Sequence, residues 1–156
     1  MVIQIFATEG TNDVQTYQDA INLAGNILAS SGSVVHGFSQ ACIDREREFP
    51  TGLGLNDTLG IAIPHGNSKL VKKSSISFVR LARPVDFGRM EDNTQTVPCK
   101  FLFNLALEEG TQHLTTLRHL MKLFQDNNFI QKISNLPLDK LSIYLTEKVV
   151  AEELTH

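Results

Sequence analysis

Apolar positions along the chain fall into two patterns, short runs suited to strands and longer stretches with helical spacing. Val2 to Phe6 is a brief apolar run that predicts an N-terminal strand, and the turn-forming residues Thr8 to Asn12 follow it. Thr11 or Asn12 then caps a helix in which Tyr17, Ile21, Ala24 and Leu28 recur at spacings of four, three and four. Ala20, Leu23 and Ile27 widen that stripe, and Ser30-Ser31-Gly32 stops it. A second helix is predicted from about Ser33, with Val35, Phe38, Cys42 and Ile43 inward and the charged run Asp44 to Glu48 as a solvated end before Pro50. A glycine-rich segment, Thr51 to Leu59, leads into Gly60-Ile61-Ala62-Ile63-Pro64-His65-Gly66.

In that stretch a short buried strand ends on Pro64, which cannot donate to a ladder. His65 is thereby placed at a strand end, and Gly66 is expected to turn the backbone away through a positive φ. Ser75 to Leu81 reads as a further strand ended by Arg83-Pro84, with Val85 to Gly88 a short connection and Arg89 to Gln95 a polar loop. The near-continuous apolar run Val97 to Leu107 is what a strand buried on both faces requires, so it is placed mid-sheet. Thr111 caps a helix whose Leu114, Leu117, Met121 and Phe124 share a face, and Asp126-Asn127-Asn128 breaks it. Short helices over Asn128 to Ser134 and from Pro137 to about Thr146 complete the chain, with the last few residues loose. This order predicts an α/β fold with a mixed central β-sheet flanked by α-helices. The strand order is not readable from it.

The 156 residues are expected to form a single domain, 1–156. Net charge is −3 and no basic run exceeds Lys72-Lys73, which argues against nucleic acid as a partner. Cys42 and Cys99 have no paired spacing and read as reduced core thiols. Neither a leader-like N-terminus nor a bilayer-spanning run is present, so a cytoplasmic location is expected.

The chemistry rests on few residues. No phosphate-loop pattern occurs, Gly52-Leu53-Gly54 lacks the third glycine of a dinucleotide turn, and no serine-centred nucleophile elbow is present. Of five histidines, His36 and His119 fall within predicted helices and His156 is terminal; none forms an HxxxH pair, so no metal site is expected. His113 lies two residues past the Thr111 cap, in a first turn where the helix dipole favours an anion. A lone histidine after an apolar strand is most often a satisfied turn residue. Here, however, His65 joins His113 and an arginine-rich helix end. A neutral imidazole can accept a phosphoryl group, and the charge of that transfer falls on equatorial oxygens that need donors around them. Arg45 or Arg47 can supply a planar fork, and backbone amides near Gly66 and His113 can add to it.

At these residues the chain resembles a known family. Arg45-Glu46-Arg47-Glu48-Phe49-Pro50-Thr51-Gly52, the Gly60 to Gly66 block, Val85 to Gly88 and His113-Leu114-x-x-Leu117 look like the enzyme IIA domain of the fructose and mannitol class (EIIA type-2) of the bacterial sugar phosphotransferase system. The similarity runs from about Ile21 to Tyr144, and within the class it is nearest to galactitol-type proteins. The resemblance implies a phosphoryl relay: the phosphocarrier HPr donates to His65, and His65 passes the group to a cysteine of an enzyme IIB that serves a membrane permease, IIC. It implies that His113 is the second active-site histidine, that Arg45 and not Arg47 is the arginine of the site, and that Thr51 places a hydroxyl nearby. It implies no metal and no organic cofactor. Between Gly52 and Gly60 the chain carries about four residues more than the usual pattern, and Asn67 and Ser68 also depart from many members. Leu53, Leu55 and Leu59 are the expected apolar rim for docking proteins. The competing readings are a regulatory phosphoprotein of the same fold, which binds a target according to its phosphorylation state, and, more distantly, a metal-dependent hydrolase.

Overall fold

The computed structural model describes residues 3–56 and 59–151. Its strands are β1 (Gln4–Gly10), β2 (Gly52–Gly54), β3 (Gly60–Ala62), β4 (Ser75–Gly88) and β5 (Thr96–Ala106), in one sheet of order β1-β4-β5-β3-β2. The β1/β4 and β3/β5 pairs are parallel and the β4/β5 and β2/β3 pairs antiparallel, so the sheet is mixed. The helices are α1 (Tyr17–Ser30), α2 (Phe38–Glu48), α3 (Thr111–Leu123), α4 (Asn127–Asn135) and α5 (Leu138–Leu145), which runs on into a π-helical turn, Thr146–Ala151.

Strand β5 is central because both of its faces are apolar. Phe101, Phe103 and Leu105 point into a core completed by Leu120, Phe129, Ile133 and Leu141 of α3, α4 and α5. Leu102 and Ala106 point the other way, onto Ile21, Ala24 and Leu28 of α1 and Phe38, Cys42 and Ile43 of α2. Two helical layers therefore sandwich one sheet. Among the described residues no helix is long and apolar enough to cross a membrane.

Several predicted boundaries move, each for a local reason. Strand β1 continues through Thr8 to Gly10, because all seven of its residues find register partners from Ser75 to Leu81. The cap of α1 is Thr16 and not Thr11 or Asn12; Thr16 Oγ1 accepts the Asp19 N–H, and Asp19 reaches back to the Thr16 N–H. Helix α2 begins only at Phe38, after Gly37 at φ 97°, which leaves His36 outside any helix. Val34 is taken instead by an isolated bridge to Val71. Strand β4 does not stop at Arg83-Pro84. Pairing with β5 lapses between Arg80 and Val85 and resumes, so Pro84 sits where no ladder N–H is needed, and Val85 to Gly88 is strand. In α3 the N-cap is Gly110, at φ 127°; Leu114 is exposed, while Leu117, Met121 and Phe124 pack into the core as expected, beside Leu120 and Leu123. Pro137 is the N-cap of α5 rather than its first helical residue. Val2 and the C-terminal residues 152–156, also covered by these expectations, lie outside the described residues.

The added length between Gly52 and Gly60 is absorbed in a hairpin. β2 and β3 pair from Gly52↔Ala62 to Gly54↔Gly60, and the Leu55 N–H bonds the Leu59 carbonyl beyond them, while Thr51 and His65 adjoin the other end of the ladder. The hairpin packs closely over β5: a Cβ at Gly60 would lie 2.5 Å from the Leu53 carbonyl oxygen and 2.7 Å from Val97 Cγ2.

The C-terminal helices are tied to the sheet by Arg80, whose Nη1 donates to the carbonyls of Ile133 at 3.2 Å and Leu136 at 2.8 Å. These oxygens lie at the α4 C-terminus, where a cation is also favoured by the helix dipole. We expect Arg80→Met to lower the free energy of unfolding by roughly 2 kcal/mol, since part-buried bonds from a charged donor are lost and two carbonyls are left short of a partner. Urea titration followed by circular dichroism measures this.

Candidate functional site

The site forms where β3 runs out. Ile61 and Ile63 point into the core shared with α3, and His65 continues that alternation two residues on. The backbone stays attached to the sheet past Pro64: the Pro64 carbonyl accepts the Leu105 N–H at 2.9 Å and Asn104 Nδ2–H at 3.0 Å. His65 forms a parallel bridge with Leu105. The proline ends donation from β3, but its carbonyl still accepts.

His65 is half-buried, and its Nδ1 lies 3.0 Å from the Ile63 carbonyl. A carbonyl only accepts, so Nδ1 carries the proton and the lone pair of the neutral ring is on Nε2. Burial lowers the His65 pKa from the ordinary value, the bond to Ile63 resists, and the charges of Arg45 and His113 lower it further. The imidazole is therefore neutral, with a free lone pair, at pH 7. Its ring meets that of His113 edge-on, with centroids 5.6 Å apart and planes at 75°. His113 is the third residue of α3, a helix start with no side-chain cap.

Two open clefts meet at His65 and Arg45. One, of about 400 Å³, is lined further by Gly66, Ser68, Glu109 and His113; the other, of about 520 Å³, by Phe49, Pro50, Thr51 and Glu91. Arg45 comes from the end of α2 and lies over the Phe49 ring, 5.4 Å from its centroid. Arg47, one position beyond the next, is turned to solvent, with Asp44 at 3.7 Å. Gly66 does not have a positive φ; among the described residues only Gly32, Gly37 and Gly110 do. What it needs is space, because a Cβ there would approach Cys42 Sγ to 3.1 Å and the Cys42 nitrogen to 3.3 Å. The exposed apolar residues at the cleft mouths are Phe49, Met90 and Leu114. Leu53 and Leu55 are instead packed against the core.

Thr51 lines the site but is itself buried, and its hydroxyl is fully engaged: Oγ1 donates to Glu46 at 2.8 Å and accepts the Ile63 N–H at 3.1 Å. Glu46, read from the sequence as part of a solvated charged end, is only 4% exposed. It lies four residues after Cys42, on the apolar face of α2, and that spacing is the signal by which the sequence could have revealed it. Asn104 was likewise hidden inside an apolar strand run; its polar character between Phe103 and Leu105 is the clue. Cys42 and Cys99 are buried free thiols whose pKa is pushed up to about 12 by burial, so neither offers a thiolate. Among the described residues no cluster of three or more histidine, cysteine or acidic side chains is arranged to hold a metal ion.

Burial also pushes the Glu46 carboxyl up to about 7, against the lowering effect of the Thr51 bonds and Arg45. Between the ordinary 4.5 and about 7 the folded chain thus holds a proton that the unfolded chain has lost, and stability falls as pH rises through that window. His65 acts in the opposite sense: with its pKa lowered, its contribution is present above 6.5 and is lost as pH falls below it. Glu46→Gln should remove the decline toward pH 7 and leave the acid-side loss. Urea unfolding of both proteins at pH 5, 6, 7 and 8 checks the two slopes.

Comparison with known proteins gives consistent results. Residues 2–145 match the family described as phosphoenolpyruvate-dependent sugar phosphotransferase system, EIIA 2. The galactitol-specific EIIA component of the phosphotransferase system of Escherichia coli K12 is 31% identical over 146 residues, 94% of this chain and 95% of that protein. The crystal structure of the mannitol IIA of Escherichia coli is 26% identical with a TM-score of 0.67, covering 92% of this chain and 94% of the other. The same enzyme in an NMR complex with phosphorylated mannitol IIB is 25% identical with a TM-score of 0.68, covering 92% and 93%.

Proposed function

Given that the chain belongs to the EIIA 2 family of the phosphoenolpyruvate-dependent sugar phosphotransferase system, and is thus a phosphotransferase component, we propose that His65 accepts a phosphoryl group from phospho-HPr and passes it to a cysteine of an enzyme IIB. The observation that carries this reading is the Nδ1 bond of His65 to Ile63, which leaves Nε2 as the nucleophile at a cleft shared with Arg45 and His113.

The transfer needs no acid or base at the phosphorus. The Nε2 lone pair forms a bond to phosphorus as the N–P bond to the donor histidine breaks, and the donor nitrogen leaves with that electron pair. In the second half, a IIB thiolate takes the phosphoryl group and Nε2 recovers its lone pair. Charge on the equatorial oxygens is met by Arg45, whose guanidinium offers several donors, and by His113 across the 5.6 Å ring contact. The lowered pKa of His65 keeps the acceptor neutral before transfer. Neither metal nor organic cofactor enters this scheme.

Two proteins must reach His65 in turn. Exposed Phe49, Met90 and Leu114 around the cleft mouths supply apolar contact of the kind that transient interfaces use. The relative solved with phosphorylated IIB supports a IIB as the acceptor. The galactitol-specific relative, matched along nearly its whole length, supports a galactitol-like alditol as the transported substrate.

Incubation with phosphoenolpyruvate, enzyme I and HPr should add one acid-labile phosphoryl group, found on the His65 peptide at alkaline pH by mass spectrometry and absent from His65→Ala. Arg45→Glu and His113→Ala should each slow acceptance roughly a hundredfold while the fold is kept. No transfer to wild type from active HPr would overturn the proposal, and full-rate transfer to Arg45→Glu would remove that residue from it.

A further inference from the structure

Glu46 stands apart from the groups named so far. It is the acidic side chain that the fold buries among the described residues, yet it touches neither cleft. Both its oxygens are used by one residue: Oε2 accepts the Thr51 N–H at 2.7 Å and Oε1 accepts the Thr51 hydroxyl at 2.8 Å. The direction of these bonds is set by proton count. Ile63 N–H must donate, so it takes a lone pair of Thr51 Oγ1, and the single hydroxyl proton then goes to Glu46. One residue carries the chain onward, because the Ile63 carbonyl accepts Nδ1–H of His65 at 3.0 Å. A continuous path through four residues, Glu46, Thr51, Ile63 and His65, thus joins the end of α2 to the ring at the strand end.

We propose that Glu46 is a positioning residue for the transfer, acting through Thr51 and Ile63 to hold His65 in the Nδ1–H tautomer with Nε2 left to react. This rests on the reading of His65 as the phosphoryl acceptor. The pattern suits an ionised carboxylate, since both oxygens accept. Protonation of Glu46 would put a second proton between it and Thr51 and leave the hydroxyl proton without an acceptor. With its pKa raised to about 7, the clamp is complete on the alkaline side of neutrality and weakened on the acid side. The charged and titratable groups that face Glu46 are Arg45 beside it, and the thiols of Cys42 on its own helix and Cys99 on β5, both of which stay protonated throughout. Those that face His65 are Arg45 and His113, with Glu109 lining one cleft and Glu48, Glu91 and Asp92 the other.

A purely structural Glu46 would move stability but not the state of the His65 ring. The test is therefore imidazole 15N NMR of the unphosphorylated full chain from pH 5 to 9, for wild type, Glu46→Gln, Thr51→Val, their double variant and His113→Gln. In wild type and His113→Gln, the His65 nitrogens should hold the Nδ1–H tautomer on the alkaline side of neutrality and show a second inflection near pH 7. In Glu46→Gln that inflection should vanish and the tautomers mix, and Thr51→Val should do the same. The maximal rate of acceptance from phospho-HPr should fall roughly tenfold to a hundredfold without a change in half-saturation, and the double variant should be no worse than either single one. Wild-type ring shifts in folded Glu46→Gln would overturn the proposal. So would a single inflection in wild type, which decides the matter even where the variants fail to fold. Absence of phosphorylation in wild type would instead refute the relay, while the ring titration would still judge the clamp.

Discussion

The Pro64 carbonyl accepts two buried donors, the Leu105 N–H and the Asn104 side chain, and this anchor ties the end of the shortest interior strand to the central one. Strand β3 has only three residues, too few to hold a reactive side chain steady by its own ladder. Past Ala62 the chain would be free to swing, and the first residue beyond Pro64 is the proposed phosphoryl acceptor. Because β5 is buried on both faces, its backbone is among the least mobile parts of the molecule. Attaching Pro64 to it gives His65 that rigidity at the cost of burying one carboxamide.

The remaining parts of the site arrive from both sides of this anchor. Helix α2 packs on one face of the sheet and ends near the strand terminus, which brings Arg45 and Glu46 there by adjacent positions on its last turn. Helix α3 packs on the other face and begins there, so His113 enters with the positive end of its helix. The two faces of one sheet therefore contribute opposite walls of a single site. Such a convergence at strand ends is the usual place for a ligand site in an α/β layered fold.

The same residues divide between holding and reacting. Arg45, His65 and His113 face the clefts, while Glu46, Thr51 and Asn104 are buried behind them: Glu46 bonds Thr51, Thr51 Oγ1 accepts the Ile63 N–H, and Asn104 Nδ2 donates to the Pro64 carbonyl while its Oδ1 finds no partner among the described residues. The buried layer is costly, since each member can find partners only within the fold. On the proposed reading it sets the tautomer of the ring before any partner arrives, so that transfer would lose little to rearrangement.

By itself the sequence determined the elements with strong period and the nature of the chemistry. The apolar run Val97 to Leu107 could only be satisfied in the middle of a sheet, and the spacing of Ile21, Ala24 and Leu28 could only be one face of a helix. His65 stood out because an apolar strand that stops on Pro-His-Gly is a local pattern, and the family resemblance named Arg45 and His113, which share a cleft with it. Boundaries set by pairing were not legible: β1 ran through turn-forming residues and β4 ran past Arg83-Pro84 because partner strands supplied register that no local pattern encodes. Within Asp44 to Glu48 the family resemblance selected Arg45 over Arg47, but only the tertiary structure decided that Glu46 is buried and why its two neighbours part. Helical rotation of about 100° per residue separates neighbours, but only the position of the sheet says which direction is inward. That is why Arg45 lines the site, Glu46 supports it from behind, and Arg47 is left to solvent.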